Sequence, residues 1–482
     1  MGFYIGARVN AGCGASGGGE VGSAATTTTT TTSSTTTNAN ATSLLKWSAV
    51  TTKMNYCSPA IDENGIIYVG SHLATADTDG ANVYAFTGNG TAEWTYPLGQ
   101  NYDKNFVLGA MALDDSNNSY FLVGEYNPAG GDSDPVAATY LMSLDANGSF
   151  RWRTNTLAEA RGWPYCTEEP AIASDGTLFI GAGSKLLSIN PSTGATKWFY
   201  DFFDGVFNVD AGDEGAVQVS SPVIDSSGKI YVNVIDYTSD TAYGVYCFTA
   251  QAATGEVVWQ AGSAAVEKAE NYYGSPSIDE TLGRIYVARS EDGVSSKVYA
   301  LNINTGARLW SFATASNLIV FATPSIGSDG TIYFGTSAKP EDGTQAGIFY
   351  ALNTDGTEKW NYDTTDDVDG SRDIYTSAAI GNDGTIYFSS EYQYIYAFNA
   401  DGTLYRKYDL YAILPDGLGS GTVTHTSFPI GSDGAIYCGE LYGDDLDASA
   451  AAFYSFNTDS SSLGTTDWPK FRFNNKNTGR VE

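Results

Sequence analysis

Residues 325–335 read SIGSDGTIYFG and residues 379–389 read AIGNDGTIYFS, almost the same phrase twice in one chain. Each holds a short apolar stretch, a polar turn closing on Asp-Gly, and an alternating stretch of Ile, Tyr and Phe. Asp-Gly between alternating apolar runs is a strong hairpin signal, because Gly reaches positive φ without steric cost. Six further versions lie along the chain: CSPAIDENGIIYVGS (57–71), GAMALDDSNNSYFLVG (109–124), EPAIASDGTLFIGA (169–182), SPVIDSSGKIYVN (221–233), SPSIDETLGRIYVA (275–288) and FPIGSDGAIYCG (428–439). Eight copies of one hairpin make a repeat architecture.

Most copies continue into a second hairpin that ends on tryptophan, as in VYALNINTGARLW and FYALNTDGTEKW. The tryptophans are Trp94, Trp152, Trp198, Trp259, Trp310 and Trp360. They stand roughly 46 to 61 residues apart, the length of a four-stranded propeller blade. The seventh copy carries Arg406 where Trp is expected, and the eighth has no Trp-bearing strand after FYSFNTDSSS. LLKW at 44–47 reads as a fourth strand lacking its first three. Pairing it with the eighth copy joins the chain's two ends and leaves no open sheet edge. The expectation is an all-β, eight-bladed β-propeller of four-stranded blades over 44–460, its ring closed by the N-terminal strand 44–47. Each Trp is expected to pack on the next blade.

Composition agrees with many short strands and turns: 54 of 482 residues are Gly and 42% are hydrophobic. The net charge is -31, from 55 acidic against 24 basic residues. That sign argues against nucleic acid as a partner, since phosphate binding needs Lys and Arg surfaces. Residues 1–43 form a Gly/Ser/Thr-rich tract without core-forming residues, expected to be a disordered tether. Residues 461–482, including WPKFRFNNKNTGRVE, are expected to pack on the propeller as a tail. Of the five cysteines, Cys13 lies in the tract; Cys57, Cys166, Cys247 and Cys438 form no CxxC pair and are expected as buried thiols rather than two disulfides.

The pattern SPAIxxDGTIYVG followed by LYALNxxTGxxxW resembles the pyrroloquinoline-quinone-like propeller repeat. That family includes quinoprotein dehydrogenases and an outer-membrane-protein assembly lipoprotein. WPKFRFNNKNTGR is similar to a WPxFRxxxxNTGR segment of exported members, where it often precedes the first blade. VNAGC at 9–13 resembles the end of a bacterial lipoprotein signal and makes Cys13 a candidate for lipidation, although MGFYIGAR lacks the basic and long apolar regions of an export signal. The resemblance implies the propeller fold and an exported protein of the cell envelope or extracellular space. For quinone chemistry it implies adjacent cysteines over the quinone and a calcium held by Glu and Asn beside a catalytic Asp. No two cysteines are adjacent here, so the quinone is not expected as a cofactor.

Function is expected where the repeats disagree. Loops within the hairpins are short; those joining second to third strands, and blade to blade, are long and individual, and both long sets emerge on one face. That face carries the aromatic residues Trp163, Tyr126, Phe207 and Tyr237, a platform for a protein or glycan partner. It also carries acidic loops that are candidates for calcium: Asp204, Asp210, Asp213 and Glu214; Asp363, Asp366, Asp367, Asp369 and Asp373; and Asp444, Asp445 and Asp447. His72 and His425 fall on neighbouring blades of the closed ring. With Tyr442 and Tyr56 nearby they suggest the alternative of a polysaccharide lyase, with Arg289 and Arg372 as candidate partners for a substrate carboxylate. The residues favour a monomeric, non-catalytic binding scaffold over this enzyme.

Overall fold

The computed structural model describes residues 44–51, 57–71, 81–98, 105–126, 136–154, 157, 169–202, 217–236, 243–250, 255–262, 265–266, 274–291, 295–338, 347–364, 373–390, 394–413, 422–423, 427–441 and 451–482. Eight antiparallel sheets, each following the order of its repeat, form an eight-bladed β-propeller. Blade six shows the plan: strands Ser325–Ile326, Ile332–Gly335, Ile348–Leu352 and Glu358–Asp363 lie side by side. Ser325 faces Tyr333, Tyr333 faces Ala351, and Ala351 faces Trp360. The opening phrase therefore supplies the two inner strands of a blade. A short helical turn, Leu410–Ile413, follows blade seven.

The tyrosine of the phrase explains part of its recurrence. In blades two, four and eight its hydroxyl donates to the turn aspartate four or six residues earlier: Tyr120 to Asp114 at 2.7 Å, Tyr231 to Asp225 at 2.7 Å and Tyr437 to Asp433 at 2.8 Å. These rings are almost fully buried, so the bond satisfies a hydroxyl that would otherwise cost free energy in the core. Burial pushes the matching Tyr333 up to about 12, which keeps it protonated at any ordinary pH. The flanking Ile and Val side chains fill the space between blades, and burial of such apolar surface drives the stacking.

Ring closure comes from the two ends of the chain. Strand Leu45–Thr51 pairs with Ala451–Asn457, Trp47 facing Ser455, and the sheet continues through Ala435–Leu441 to Thr422–Val423. Trp47 then joins the other tryptophans in one recurring contact. Its indole donates to Gly88 O at 2.9 Å; Trp94 donates to Ala146 O at 3.0 Å, Trp152 to Pro191 O at 2.8 Å, Trp259 to Ile303 O at 3.1 Å, Trp310 to Thr354 O at 2.9 Å and Trp360 to Ala400 O at 3.1 Å. Every acceptor lies in the turn between the outer strands of the next blade. The ring face covers that turn's glycine: a Cβ on Gly356 would stand 2.6 Å from the Trp310 ring, and Gly356 already has φ +85. Trp198 covers Gly255 in the same way. Seven of the eight seams between blades thus carry a Trp-on-Gly lock.

Cys57, Cys247 and Cys438 are buried thiols, and burial pushes Cys57 and Cys247 up to about 12. Cys166 lies outside the described residues. Among the described residues no helix is long and apolar enough to cross a membrane.

Candidate functional site

The innermost strand of each blade opens with a related triplet: Ser58-Pro59-Ala60, Ala110-Met111-Ala112, Glu169-Pro170-Ala171, Ser221-Pro222-Val223, Ser275-Pro276-Ser277, Thr323-Pro324-Ser325, Ser377-Ala378-Ala379 and Ser427-Phe428-Pro429. At four seams its first residues tie neighbouring blades together. A backbone amide of one blade donates to the side chain at the same position of the next: Ala110 N to Glu169 Oε1 at 3.1 Å, Glu169 N to Ser221 Oγ at 3.0 Å, Ser377 N to Ser427 Oγ at 3.1 Å and Ser427 N to Ser58 Oγ at 3.1 Å. Ser221 Oγ in turn donates to Glu169 Oε2 at 2.6 Å. Both oxygens of this carboxylate are therefore engaged. Burial raises Glu169 above the ordinary carboxyl range, and the guanidinium of Arg472 opposes that rise.

Arg472 belongs to the C-terminal segment, which spans the hub on the face of the short turns. Three residues beyond each of these first positions stands an apolar residue whose amide ends the inner strand. The segment collects these amides in turn: Ile380 N donates to Pro469 O at 2.9 Å, Ile326 N to Trp468 O at 2.7 Å, Ile61 N to Asn475 O at 2.7 Å, Leu113 N to Lys476 O at 2.9 Å, Ile172 N to Thr478 O at 2.9 Å and Ile224 N to Gly479 O at 2.8 Å. Asn475 Nδ2 adds Ile430 O of blade eight at 2.7 Å. In blade five the buried Asp279 meets Asp467 of the segment, and burial together with this second carboxyl raises Asp279. Such terminal amides would otherwise be buried without acceptors, so this one segment supplies acceptors at six of the eight blades.

The side chains of the segment reach further inward. Arg472 donates to Pro222 O at 2.7 Å and Pro170 O at 2.9 Å, while Asn477 Nδ2 donates to Pro59 O at 3.0 Å and Met111 O at 2.9 Å. Lys470 is fully buried, with its ammonium on Phe471 O at 2.7 Å, Asn474 O at 3.1 Å and the side-chain oxygen of Asn477. Burial and the nearby Arg472 push it down to about 7. These charged groups of the hub, Glu169, Lys470 and Arg472, are occupied in holding the ring together.

Most of the expected site residues lie outside the described residues. This holds for Trp163, Phe207, Tyr237, His72, His425, Tyr442, Tyr56, Arg372, Cys13, Asp204, Asp210, Asp213, Glu214, Asp366, Asp367, Asp369, Asp444, Asp445 and Asp447. The backbone of Tyr126 ends strand Ser119–Tyr126. Three of the expected residues are described. Asp363 ends the outer strand of blade six. Asp373 is buried, and its carboxylate accepts the Ala338 amide at 2.7 Å and the Tyr375 hydroxyl at 3.3 Å. Arg289 is 2% exposed; it donates to the Asn233 side chain and to Val234 O at 3.3 Å in blade four, and lies over the Tyr243 ring at 5.6 Å. Burial lowers Arg289 to about 10. It ties two blades together rather than facing a substrate. Among the described residues no three His, Cys, Asp or Glu side chains are grouped to hold a metal ion. The described cysteines, Cys57, Cys247 and Cys438, stand on blades one, four and eight.

Reading the repeats for turns and tryptophans missed the Ser/Glu ring and the place of the C-terminal tail at the hub. A signal for the ring was present, because Ser, Thr or Glu recurs three residues before the inner apolar position in all copies except the second. The hub segment occurs once, so periodicity could not reveal what it touches.

No curated protein matches this sequence. Among solved structures, BamB from Moraxella catarrhalis aligns with a TM-score of 0.53 at 16% identity, over 85% of this chain and 98% of that one. A europium-containing methanol dehydrogenase aligns at 0.57 and 12% identity, over 86% and 93%. Quinohemoprotein alcohol dehydrogenase from Comamonas testosteroni aligns at 0.60 and 14% identity, over 88% and 77%. At such identities the three share the fold alone, which hosts both binding and catalysis. The sequence profile described as outer membrane protein assembly factor BamB matches residues 9–261 and again 237–421. The chain belongs to that family, and with it to the propellers of the pyrroloquinoline-quinone-like repeat.

Proposed function

We propose that this propeller is a non-catalytic binding scaffold of the cell envelope, using its long-loop face to hold a protein partner. The observation that carries this reading is the occupation of the hub. The C-terminal segment covers the short-turn side, and the buried charges of the axis are bonded to the protein's own backbone and side chains. A rigid ring locked from one side leaves the other side, where the repeats diverge, as the surface free to specialise. The family supports the same reading, since its description is that of an assembly factor for outer-membrane proteins. The dehydrogenase folds keep a catalytic alternative in view, but Cys57, Cys247 and Cys438 stand apart and both oxygens of Glu169 are engaged within the ring.

Cross-linking mass spectrometry of the purified full chain with the periplasmic domains of the outer-membrane assembly machinery tests the proposal. The expected cross-links fall in the long loops, at 127–135, 203–216, 339–346 and 442–450. Cross-links confined to the short-turn side, or no complex at micromolar concentration, would count against it.

A further inference from the structure

The seam between blades seven and eight differs from the other seven. Arg406 stands in the place of the tryptophan, and Ser460 in the place of the turn glycine, since FNADG at 398–402 aligns with FNTDS at 456–460. Both halves of the Trp-on-Gly lock are therefore missing together. Polar contacts replace them: Arg406 pairs with Asp459 at 3.0 Å, Tyr405 donates its hydroxyl to Asp459 at 2.6 Å, and Ser460 Oγ donates to Asp383 at 2.6 Å. Asn382 adds two bonds, from its Nδ2 to Ser461 Oγ at 2.7 Å and from Ser461 N to its Oδ1 at 3.2 Å. Deeper in, Tyr387, Ile395 and Tyr408 still meet Phe428, Tyr454 and Phe456, so only the rim is altered. The chain has a reason to give up the lock here. Instead of turning back into an outer strand after Asp459, it runs inward across blade seven, where Gly464 N donates to Ile380 O at 2.7 Å, and on to the hub.

We infer that this seam is the ring's built-in opening: the Arg406–Asp459 pair and the crossing at 459–464 act as a latch that releases before any Trp-on-Gly seam. Two physical differences support it. The side chains of Arg406 and Asp459 are 35% and 45% exposed, where an ion pair contributes little and is screened by salt. A Trp on a glycine removes apolar surface from water, and salt does not screen that. The turn at this seam also leads to no outer strand of its own: the outer strand of blade eight comes from the other end of the chain, and residues after Asp459 run on towards the hub.

Hydrogen exchange of the full chain, followed by mass spectrometry, tests the latch. Amides of Leu404–Asp409 and of 458–463 should exchange about tenfold faster than those of the outer strands Arg308–Ala313 and Glu358–Asp363, and the ratio should grow with added salt. The double variant Arg406→Trp with Ser460→Gly restores the lock and should bring Leu404–Asp409 towards the rate of the other two strands. Equal rates in the unaltered protein would overturn the inference, and so would a ratio indifferent to salt. The first measurement needs no variant, so the inference stays testable even if the double variant fails to fold.

Discussion

The seam of Trp310 on Gly356 and the seam of Arg406 on Asp459 occupy equivalent places in the ring and are built on different physics. At the first, an indole donates to Thr354 O and covers a glycine that tolerates neither a side chain nor a negative φ. At the second, an exposed ion pair and a few hydroxyl bonds join blades whose chain has another destination. The difference teaches that the lock between blades is a two-part device, and that Trp and Gly are lost as a pair once the turn is needed to launch the hub segment.

The comparison can be broken from either side. Trp310→Ala removes a large apolar contact and should cost about 3 kcal/mol, read as a lowered melting temperature. Gly356→Ala meets both the positive φ and the Trp310 ring and should cost about 2 kcal/mol by the same measurement. Arg406→Ala should cost less than about 1 kcal/mol in overall stability while speeding local exchange at its seam. If Arg406→Ala proved as destabilising as Trp310→Ala, the two seams would be equivalent and the contrast would fail.

Acid should sharpen the contrast further. Hydrogen bonds from Ser460 and Thr385 outweigh burial and hold Asp383 below the ordinary carboxyl range; at Asp433, Lys46, Ala435 and Tyr437 do the same against burial. A carboxyl depressed in the folded state contributes stability above its unfolded value, near 4, and loses it as pH falls through the lower folded value. As pH falls below about 4 the seam of blades seven and eight, bridged by Asp383 and Ser460, should therefore loosen before the seam of Trp310 and Gly356. Exchange rates of Leu404–Asp409 and Arg308–Ala313 measured across that range would check the order.

Much of the scaffold was legible because it repeats. The Asp-Gly turns, the alternating Ile and Tyr, the recurring Trp and the orphan strand at LLKW together imply eight blades and a ring closed by the chain's two ends, as the pairing of Leu45–Thr51 with Ala451–Asn457 bears out. The same reading noticed that Arg406 replaces Trp, but not that Ser460 replaces the turn glycine with it, because the contact crosses a seam. The burial of Lys470 and Arg472 was not legible either. The tail was expected to pack on the propeller, but a segment that occurs once carries no periodicity to show that Lys470 faces carbonyls of the tail itself and Arg472 those of Pro170 and Pro222. Arg289 was misplaced for a related reason: its position near a strand end suggested the loop face, while its guanidinium turns to Asn233 and Val234 of the neighbouring blade.

The most direct test of the scaffold reading is the affinity of the full chain for the periplasmic domains of the outer-membrane assembly machinery, compared between two variants by calorimetry. Trp163→Ala alters a residue expected on the long-loop face, and Phe199→Ala alters an exposed outer strand of blade three. Roughly a tenfold or greater loss with Trp163→Ala and little change with Phe199→Ala is the result predicted for a binding hot spot on the loop face. Equal affinities for both variants, or loss only with Phe199→Ala, would contradict it.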